Sequence, residues 1–470
     1  MEFKSKKIII DQESPYENDR LSRKSDIDNL SLLLRNISTP IVLSVNAPWG
    51  SGKTTFLEML HADLMNKECK SIYFSSWETD FASDPLLAFL GEMNEELEAL
   101  INGNEEKSKA WDKAKQAGIH IVKKGIPALI KVGTAGVIDA EKILETEASK
   151  LIESLSKDLL SEYTKNKSAI TEFKKNVSTI LSNDGEDPTK LYFFVDELDR
   201  CRPTYAIELL ERIKHLLNID GVVFILAMDK EQLSHGVKAV YGNDFESIGY
   251  LRRFIDIEYS LPKAEPSDFI DQLYKTFQFD SFFEKRKGYR AFQYEVEHLK
   301  NVFKLIVKAK SLSLREIEQL FSKVNLVIHS TSENTYLYPA LLTFLLVVKD
   351  FNMEVYQDYI REGSTPEKMI SILYEMVPID QRYDSFECAL IEGFLIAAKN
   401  ERYDESLGNA LDMHNDNVNN TECDRKEKSY SNRVINIAES PVESAGSVNL
   451  NSIVSRIEMS DNFKFGENES

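Results

Sequence analysis

A phosphate-binding pattern lies near the amino end of the chain, where an apolar run passes into a loop of small residues. Residues 47–54 read Ala-Pro-Trp-Gly-Ser-Gly-Lys-Thr, and an apolar helix-like segment follows them. The backbone N–H groups of such a loop surround phosphate oxygens, and the amino end of the helix adds positive partial charge. Lys53 is expected to reach the β- and γ-phosphates, and the Thr54 hydroxyl to ligand Mg²⁺.

Small residues allow the backbone of this loop to approach a phosphate closely. Gly50 and Gly52 permit backbone angles that a side chain would forbid. Ala47 stands where the pattern G-x-x-x-x-G-K-[ST] has its first glycine, and alanine is small enough to serve there. The predicted nucleotide contacts in this segment are Ala47, Pro48, Trp49, Gly50, Ser51, Gly52, Lys53, Thr54 and Thr55.

A second pattern, in which an apolar run ends in two adjacent carboxylates, lies at residues 191–197. Asp196 is placed to hold the Mg²⁺ shell through water. Glu197, one residue later, is placed to orient and deprotonate the water that attacks the γ-phosphate. This is the Walker B arrangement, and its partner is the Walker A loop at residues 47–54. The plainer alternative is an acidic turn after a strand.

Three further polar positions are candidates for contacts with the γ-phosphate. Asp229 follows a buried strand and is a candidate sensor, although the N-cap of the next helix explains it equally well. Arg252 or Arg253 is a candidate for neutralising charge in the transition state, within the chain or on a neighbouring subunit. Arg315 lies at the start of a helix, from which a lid could direct it at the phosphates.

Apolar runs divide the rest of the chain into elements that would position these residues. Parallel strands are expected at 41–45, 71–77, 191–195, 222–227 and 255–261, and the helix between the first two implies a right-handed βαβ unit. The expected parts are an NTPase core at 1–80, a helical insertion at 81–182, the rest of the core at 183–264, a helical lid at 265–400 and a polar, disordered tail at 401–470.

Composition limits the classes of partner. The chain has 470 residues with 42% hydrophobic content and a net charge of −20, which indicates a globular protein and does not indicate a nucleic-acid partner. Its four cysteines are scattered, which is typical of a reducing compartment, and no secretory signal is visible, so the cytoplasm is the expected location. Lysines interrupt the most apolar part of the insertion, residues 118–138, so an ordinary buried or interfacial element is favoured over a membrane helix.

Taken together, these motifs resemble the KAP P-loop NTPases, which belong to the additional-strand, catalytic-glutamate division of P-loop proteins. The matching pieces are residues 19–23, 47–54, 77, 195–201, 227–229, 241–242, 250–251 and 315. The family has glycine where Ala47 stands, lysine where Arg253 aligns, and Asn-Pro-Arg where this chain has Ser313-Leu314-Arg315. Many members carry paired transmembrane helices between the two Walker motifs, whereas the insertion here does not read as membrane-spanning.

The sequence and the resemblance predict a three-layer α/β P-loop NTPase with a parallel sheet, a large helical insertion between the Walker motifs and a C-terminal helical lid. The leading hypothesis is an Mg²⁺-dependent, ATP-hydrolysing switch that acts on a protein partner through the insertion, lid or tail. A homo-oligomer is compatible with this hypothesis. The resemblance suggests a role in bacterial defence against phage. The alternative is a nucleotide-gated binding scaffold with negligible turnover, and a DNA-acting motor is disfavoured by the negative charge.

Overall fold

A computed structural model describes residues 9–37, 40–82, 84–101, 103–124, 148–182, 188–216, 218–263, 265–286, 288–289, 292–399, 408–439 and 448–462. The chain divides into two compact units, one within residues 8–263 and one within residues 264–470. We call them the N-terminal unit and the C-terminal unit. This division falls at the end of the predicted NTPase core.

The N-terminal unit is built on five parallel strands in the order β2-β3-β4-β1-β5. The strands are β1 (Ile41–Asn46), β2 (Lys70–Ser75), β3 (Leu191–Asp196), β4 (Val222–Met228) and β5 (Ile257–Ser260). The helices are α1 (Lys24–Asn36), α2 (Lys53–Asn66), α3 (Pro85–Ile101), α4 (Glu105–Lys124), α5 (Ala148–Leu181), α6 (Pro203–Leu216), α7 (Lys230–Tyr241) and α8 (Ser247–Leu251).

Helices cover both faces of the sheet, so the predicted three-layer α/β fold is confirmed. Every residue of β3 and β4 is buried, as expected for parallel strands covered on both sides. Tyr192 and Phe194 face the core formed with α1 and α2, whereas Leu191, Phe193 and Val195 face the core formed with α3 to α7. Strand β4 lies between β1 and β3, which is the additional strand that the resemblance implies.

The insertion forms helices α3, α4 and α5. Lys107 Nζ donates to Ser182 O at 3.0 Å, so the start of α4 lies beside the end of α5 and the two helices are antiparallel. Helix α5 has 34 residues and is about 51 Å long, whereas a six-residue strand spans about 20 Å. Helix α5, which leads back to the start of β3, is therefore more than twice as long as the strand that follows it.

Most of the apolar stretch at 118–138 lies outside the described residues, which stop at 124 and resume at 148. Among the helices that are described, none is both long and apolar enough to cross a bilayer.

The described part of the C-terminal unit is helical, as predicted for the lid. Its helices are α9 (Ser267–Thr276), α10 (Phe279–Glu284), α11 (Glu295–Lys310), α12 (Leu314–His329), α13 (Pro339–Phe351), α14 (Met353–Ile360), α15 (Glu367–Met376), α16 (Ile379–Arg382), α17 (Phe386–Ala397), α18 (Gly408–Asn419), α19 (Arg425–Glu439) and α20 (Leu450–Asp461). They share one apolar core, in which α13 and α17 are buried along almost their whole length.

The expectation that the tail is disordered is wrong for its described residues. Helices α18, α19 and α20 form there and pack onto this core. Tyr430, Val434 and Ala438 recur every four residues along α19 and are all buried, so a narrow apolar stripe is enough in a polar segment. A buried polar cluster adds to the attachment. The Glu392 carboxylate, 0% exposed, accepts hydrogen bonds from Tyr374 and Tyr430 and lies 2.9 Å from His414 Nε2.

A buried ion pair joins the turn that follows α10 to the first residue of α11, and its loss is expected to destabilise the C-terminal unit. Arg286 donates to both Glu295 carboxylate oxygens at 2.9 and 2.7 Å and lies between the rings of Phe282 and Phe292. Arg286→Met would leave Glu295 buried without its cation, so we expect the free energy of unfolding to fall by about 3–5 kcal/mol. Urea denaturation measures this loss.

The matched control is Arg361→Met, which removes an exposed arginine 3.7 Å from Asp358. Exposed pairs contribute about 0–1 kcal/mol, so this variant should unfold close to the wild-type midpoint. Equal effects of the two substitutions would contradict the assignment of Arg286 as a buried structural residue.

Candidate functional site

The phosphate-binding loop connects the end of β1 to the start of α2. Ala47 N donates to Met228 O at 3.2 Å, which fixes the beginning of the loop against β4. Gly50 and Gly52 have φ angles of 73° and 83°, in the left-handed region that favours glycine. Gly52 is the N-cap residue of α2, so the first N–H groups of that helix point toward the loop. This geometry is suited to a bound phosphate.

Lys53 is the first residue of α2 and turns back over the loop. Its Nζ donates to Ala47 O at 2.7 Å and to Pro48 O at 3.2 Å. Burial lowers the pKa of the Lys53 ammonium, and the nearby carboxylates of Asp199, Asp229 and Asp196 oppose that effect. A phosphate group at this position would supply the negative charge that favours the ammonium form.

The two carboxylates predicted after β3 lie beside the sheet edge that carries the loop. Asp196 is 2% exposed, and its two carboxylate oxygens each accept one hydrogen bond at 2.7 Å, from the Tyr73 hydroxyl and from Glu197 N. Glu197 has a φ of 61°, an uncommon angle for a residue with a side chain. Such backbone strain is concentrated at functional sites.

The Glu197 carboxylate has a partner on each oxygen. Oε1 lies 2.7 Å from the Arg200 guanidinium, and Oε2 accepts from Ser75 Oγ at 3.0 Å. Ser75 is the last residue of β2, which pairs directly with β3. These contacts hold the carboxylate in one orientation next to Asp196.

Hydrogen bonds join the loop to the ends of the neighbouring strands. The Trp49 indole N–H donates to Asp199 Oδ2, and Trp49 N donates to Asp229 Oδ2 at 3.1 Å. Burial raises the pKa of Asp199, whereas Lys53 and Trp49 oppose this shift. The loop is therefore hydrogen-bonded to the short turn that follows Glu197.

Asp229 has two structural roles. It is the N-cap of α7, where Oδ1 accepts from Glu231 N and Gln232 N at 3.2 Å, and its other oxygen binds the loop at Trp49 N. The N-cap alternative is thus present in the structure, and the role of Asp229 as a γ-phosphate sensor stays a prediction.

Comparison with known protein families decides the classification. Residues 23–331 match the model of the KAP family P-loop domain, and this match covers well over half of the 470 residues. The chain belongs to the KAP family. This KAP protein therefore contains a nucleotide-binding P-loop NTPase domain, and the matched region extends from the N-terminal unit into the C-terminal unit.

Solved structures give weaker likenesses. The ORC2 protein of Aeropyrum pernix, solved as ADPNP-ADP complexes, is 11% identical over 94% of each chain, with a TM-score of 0.29. Cdc6p from Pyrobaculum aerophilum is 14% identical over 96% of this chain and 98% of its own, with a TM-score of 0.34. These likenesses carry no argument about function. No curated protein matches this chain.

The donors around the loop fit Mg²⁺. Thr54 and Asp196 offer hydroxyl and carboxylate oxygens, the hard ligands that Mg²⁺ prefers. Thr54 is in the first turn of α2 and Asp196 ends β3, with β4 between β3 and the strand that leads into the loop, so Asp196 would hold the Mg²⁺ shell through water. In the described ranges no group of three His, Cys, Asp or Glu side chains is placed to hold a metal, so nucleotide phosphates would supply further ligands.

The structure does not decide the roles of the arginines predicted from sequence. Arg252 and Arg253 are exposed and lie between α8 and β5. A role for either of them at the phosphates, within the chain or on a neighbouring subunit, stays a prediction. Arg315 is in the first turn of α12, in the C-terminal unit, and its role also stays a prediction.

Sequence reasoning missed Tyr73 and Ser75 as parts of the site. Tyr73 and Ser75 are on the same face of β2 because side chains two residues apart in a strand point the same way. The available signal was the alternation of Tyr73 and Ser75 with the apolar residues Ile72 and Phe74 in the second half of the strand. The roles of Tyr73 and Ser75 depend on the pairing of β2 with β3, and the local sequence does not determine the strand order.

Proposed function

We propose that this protein is an Mg²⁺-dependent, ATP-hydrolysing molecular switch. The observation that best supports the proposal is the pair Asp196–Glu197 at the end of β3, on the same sheet edge as the Walker A loop. A P-loop protein that only binds a nucleotide has no need for the second carboxylate. Phosphate release from Mg·ATP by the wild-type protein and by Glu197→Gln tests it.

Each residue of the site has a distinct role in this proposal. The loop N–H groups and the Lys53 ammonium bind the β- and γ-phosphates and offset the charge that develops on them. Thr54 and Asp196 would hold Mg²⁺, which neutralises phosphate charge when bound. Glu197 orients a water molecule toward the γ-phosphate and accepts its proton.

The contacts of Glu197 also favour a second candidate, a nucleotide-gated scaffold with negligible turnover. Arg200 and Ser75 contact both oxygens of the base and fix its plane, so rotation of the carboxylate toward a water breaks at least one of these contacts. Slow turnover without a trigger is expected from such an arrangement. A switch is distinguished from a scaffold by whether release of these contacts raises the rate.

Arg200→Ala tests this restraint. This partly exposed ion pair contributes about 1 kcal/mol, and removing it should lower the barrier to rotation of the Glu197 carboxylate by a similar amount. We therefore expect basal phosphate release to rise about fivefold. A steady-state assay with saturating Mg·ATP measures it, with Arg35→Ala, an exposed arginine at the end of α1, as control. A fall in rate would instead mean that Arg200 holds Glu197 in its working position.

Three features of the proposal concern the setting in which the switch acts. The paired helices α4 and α5 of the insertion are the element proposed to act on a protein partner. The proposed location is the cytoplasm. Self-association is tested by measuring the mass of the protein in solution with and without Mg·ATP. The defence role suggested by the family is tested by plating phage on cells that express the wild-type protein or Lys53→Ala.

A further inference from the structure

The Asp196 carboxylate is oriented by a tyrosine on the neighbouring strand. In the β2–β3 pairing, Tyr73 is opposite Phe194 and Ser75 is opposite Asp196. The Tyr73 hydroxyl donates to Asp196 Oδ2 at 2.7 Å, while the other oxygen accepts from Glu197 N at 2.7 Å. One donor on each oxygen fixes the plane of the carboxylate and leaves further lone pairs on both oxygens.

The tyrosine ring is itself held in place. It stacks on Phe194 with ring centroids 6.1 Å apart and meets the edge of His61 at 5.6 Å. A tyrosine hydroxyl has one O–H donor, and here that donor is directed at Asp196 Oδ2. Asp196 therefore has a permanent donor on an immobile ring.

We propose that Tyr73 is a positioning residue for Mg²⁺, acting through Asp196. Held by Tyr73, Asp196 directs its remaining lone pairs at the metal and its bound water without first losing side-chain freedom. Residues that orient a metal ligand in this way change metal affinity by roughly 10–100-fold when they are removed. This inference rests on the proposed function, since it assumes that Asp196 belongs to the Mg²⁺ site.

Tyr73→Phe removes only the hydroxyl and keeps the stacked ring. The matched control is Tyr192→Phe on β3, where the buried hydroxyl donates to Leu34 O at 3.3 Å and touches no residue of the site. Both variants lose one tyrosine hydroxyl from the same sheet. A difference between them in metal binding therefore reports the contact with Asp196 and not a general loss of stability.

The experiment measures binding of Mn²⁺ by electron paramagnetic resonance, with the full-length protein and a non-hydrolysable ATP analogue. We expect Tyr73→Phe to weaken Mn²⁺ binding about tenfold and Tyr192→Phe to leave it unchanged. Affinity for the analogue in EDTA, measured by isothermal titration calorimetry, should be the same in all three proteins. Wild-type Mn²⁺ affinity in Tyr73→Phe, or an equal loss of analogue affinity in EDTA, would overturn the proposal.

A double-mutant cycle identifies the path of the effect. If Tyr73 acts through Asp196, Tyr73→Phe has no further effect on Mn²⁺ affinity in an Asp196→Ala background. A tenfold loss that persists in that background overturns the inference while leaving the proposed function intact. Failure of the wild-type protein to bind Mn²⁺ with the analogue at all overturns both.

Discussion

Lys53→Ala is expected to weaken binding of Mg·ATP by on the order of 10²–10⁴-fold. The substitution removes hydrogen bonds from an ammonium group to two phosphates, and each such charged bond contributes roughly 1.5–3 kcal/mol. Isothermal titration calorimetry with Mg·ATP measures the change. The fold should survive, because the Lys53 ammonium donates to the carbonyl groups of Ala47 and Pro48 in the loop and not to the packed core.

The control for this prediction is Lys70→Ala. Lys70 is an exposed lysine at the first residue of β2, at the sheet edge opposite the loop, so its removal changes the net charge equally. We expect its Mg·ATP affinity to equal that of the wild-type protein. Wild-type affinity in Lys53→Ala would show that the loop is not the nucleotide site.

Glu197→Gln is expected to lower the rate of ATP hydrolysis by roughly 10²–10⁴-fold while leaving nucleotide affinity close to wild type. The amide keeps the shape of the side chain and still offers an oxygen to Ser75 or Arg200, but it does not accept a proton from water. Phosphate release in single-turnover conditions measures the chemical step. This separates loss of the base from loss of binding.

Glu78→Gln is the matched control, because Glu78 is an exposed carboxylate three residues after Ser75. It removes the same charge near the same sheet edge without touching Asp196 or Glu197. Its rate should equal that of the wild-type protein. Equal detectable rates in wild type and Glu197→Gln would exclude Glu197 as the base.

The sheet and both nucleotide-binding motifs were predictable because their signals are local. Strands β3 and β4 read as unbroken apolar runs since both faces are covered by helices. The loop between β1 and α2 is recognised from glycines, a lysine and a threonine at fixed spacing. Helices in the C-terminal unit are recognised from the period of their buried residues, as in α12, where Ile317, Leu320 and Val324 are buried.

Contacts between segments distant in the chain were not predictable in the same way. Ser75 and Glu197 meet only because β2 pairs with β3, and the chain between them contains the whole insertion. The tail was mistaken for a disordered segment because its apolar residues are sparse. Its stability depends on the buried contacts of His414 and Tyr430 with Glu392 on α17, which the local composition does not reveal.

The identity of the nucleotide that the protein holds after incubation with Mg·ATP shows whether the protein hydrolyses ATP and whether Glu197 is the base. Unbound nucleotide is removed by rapid desalting, the protein is denatured with acid, and the released nucleotide is resolved by anion-exchange chromatography. We expect ADP on the wild-type protein, ATP on Glu197→Gln and no nucleotide on Lys53→Ala. Intact ATP on the wild-type protein, or ADP on Glu197→Gln in the wild-type proportion, would contradict it.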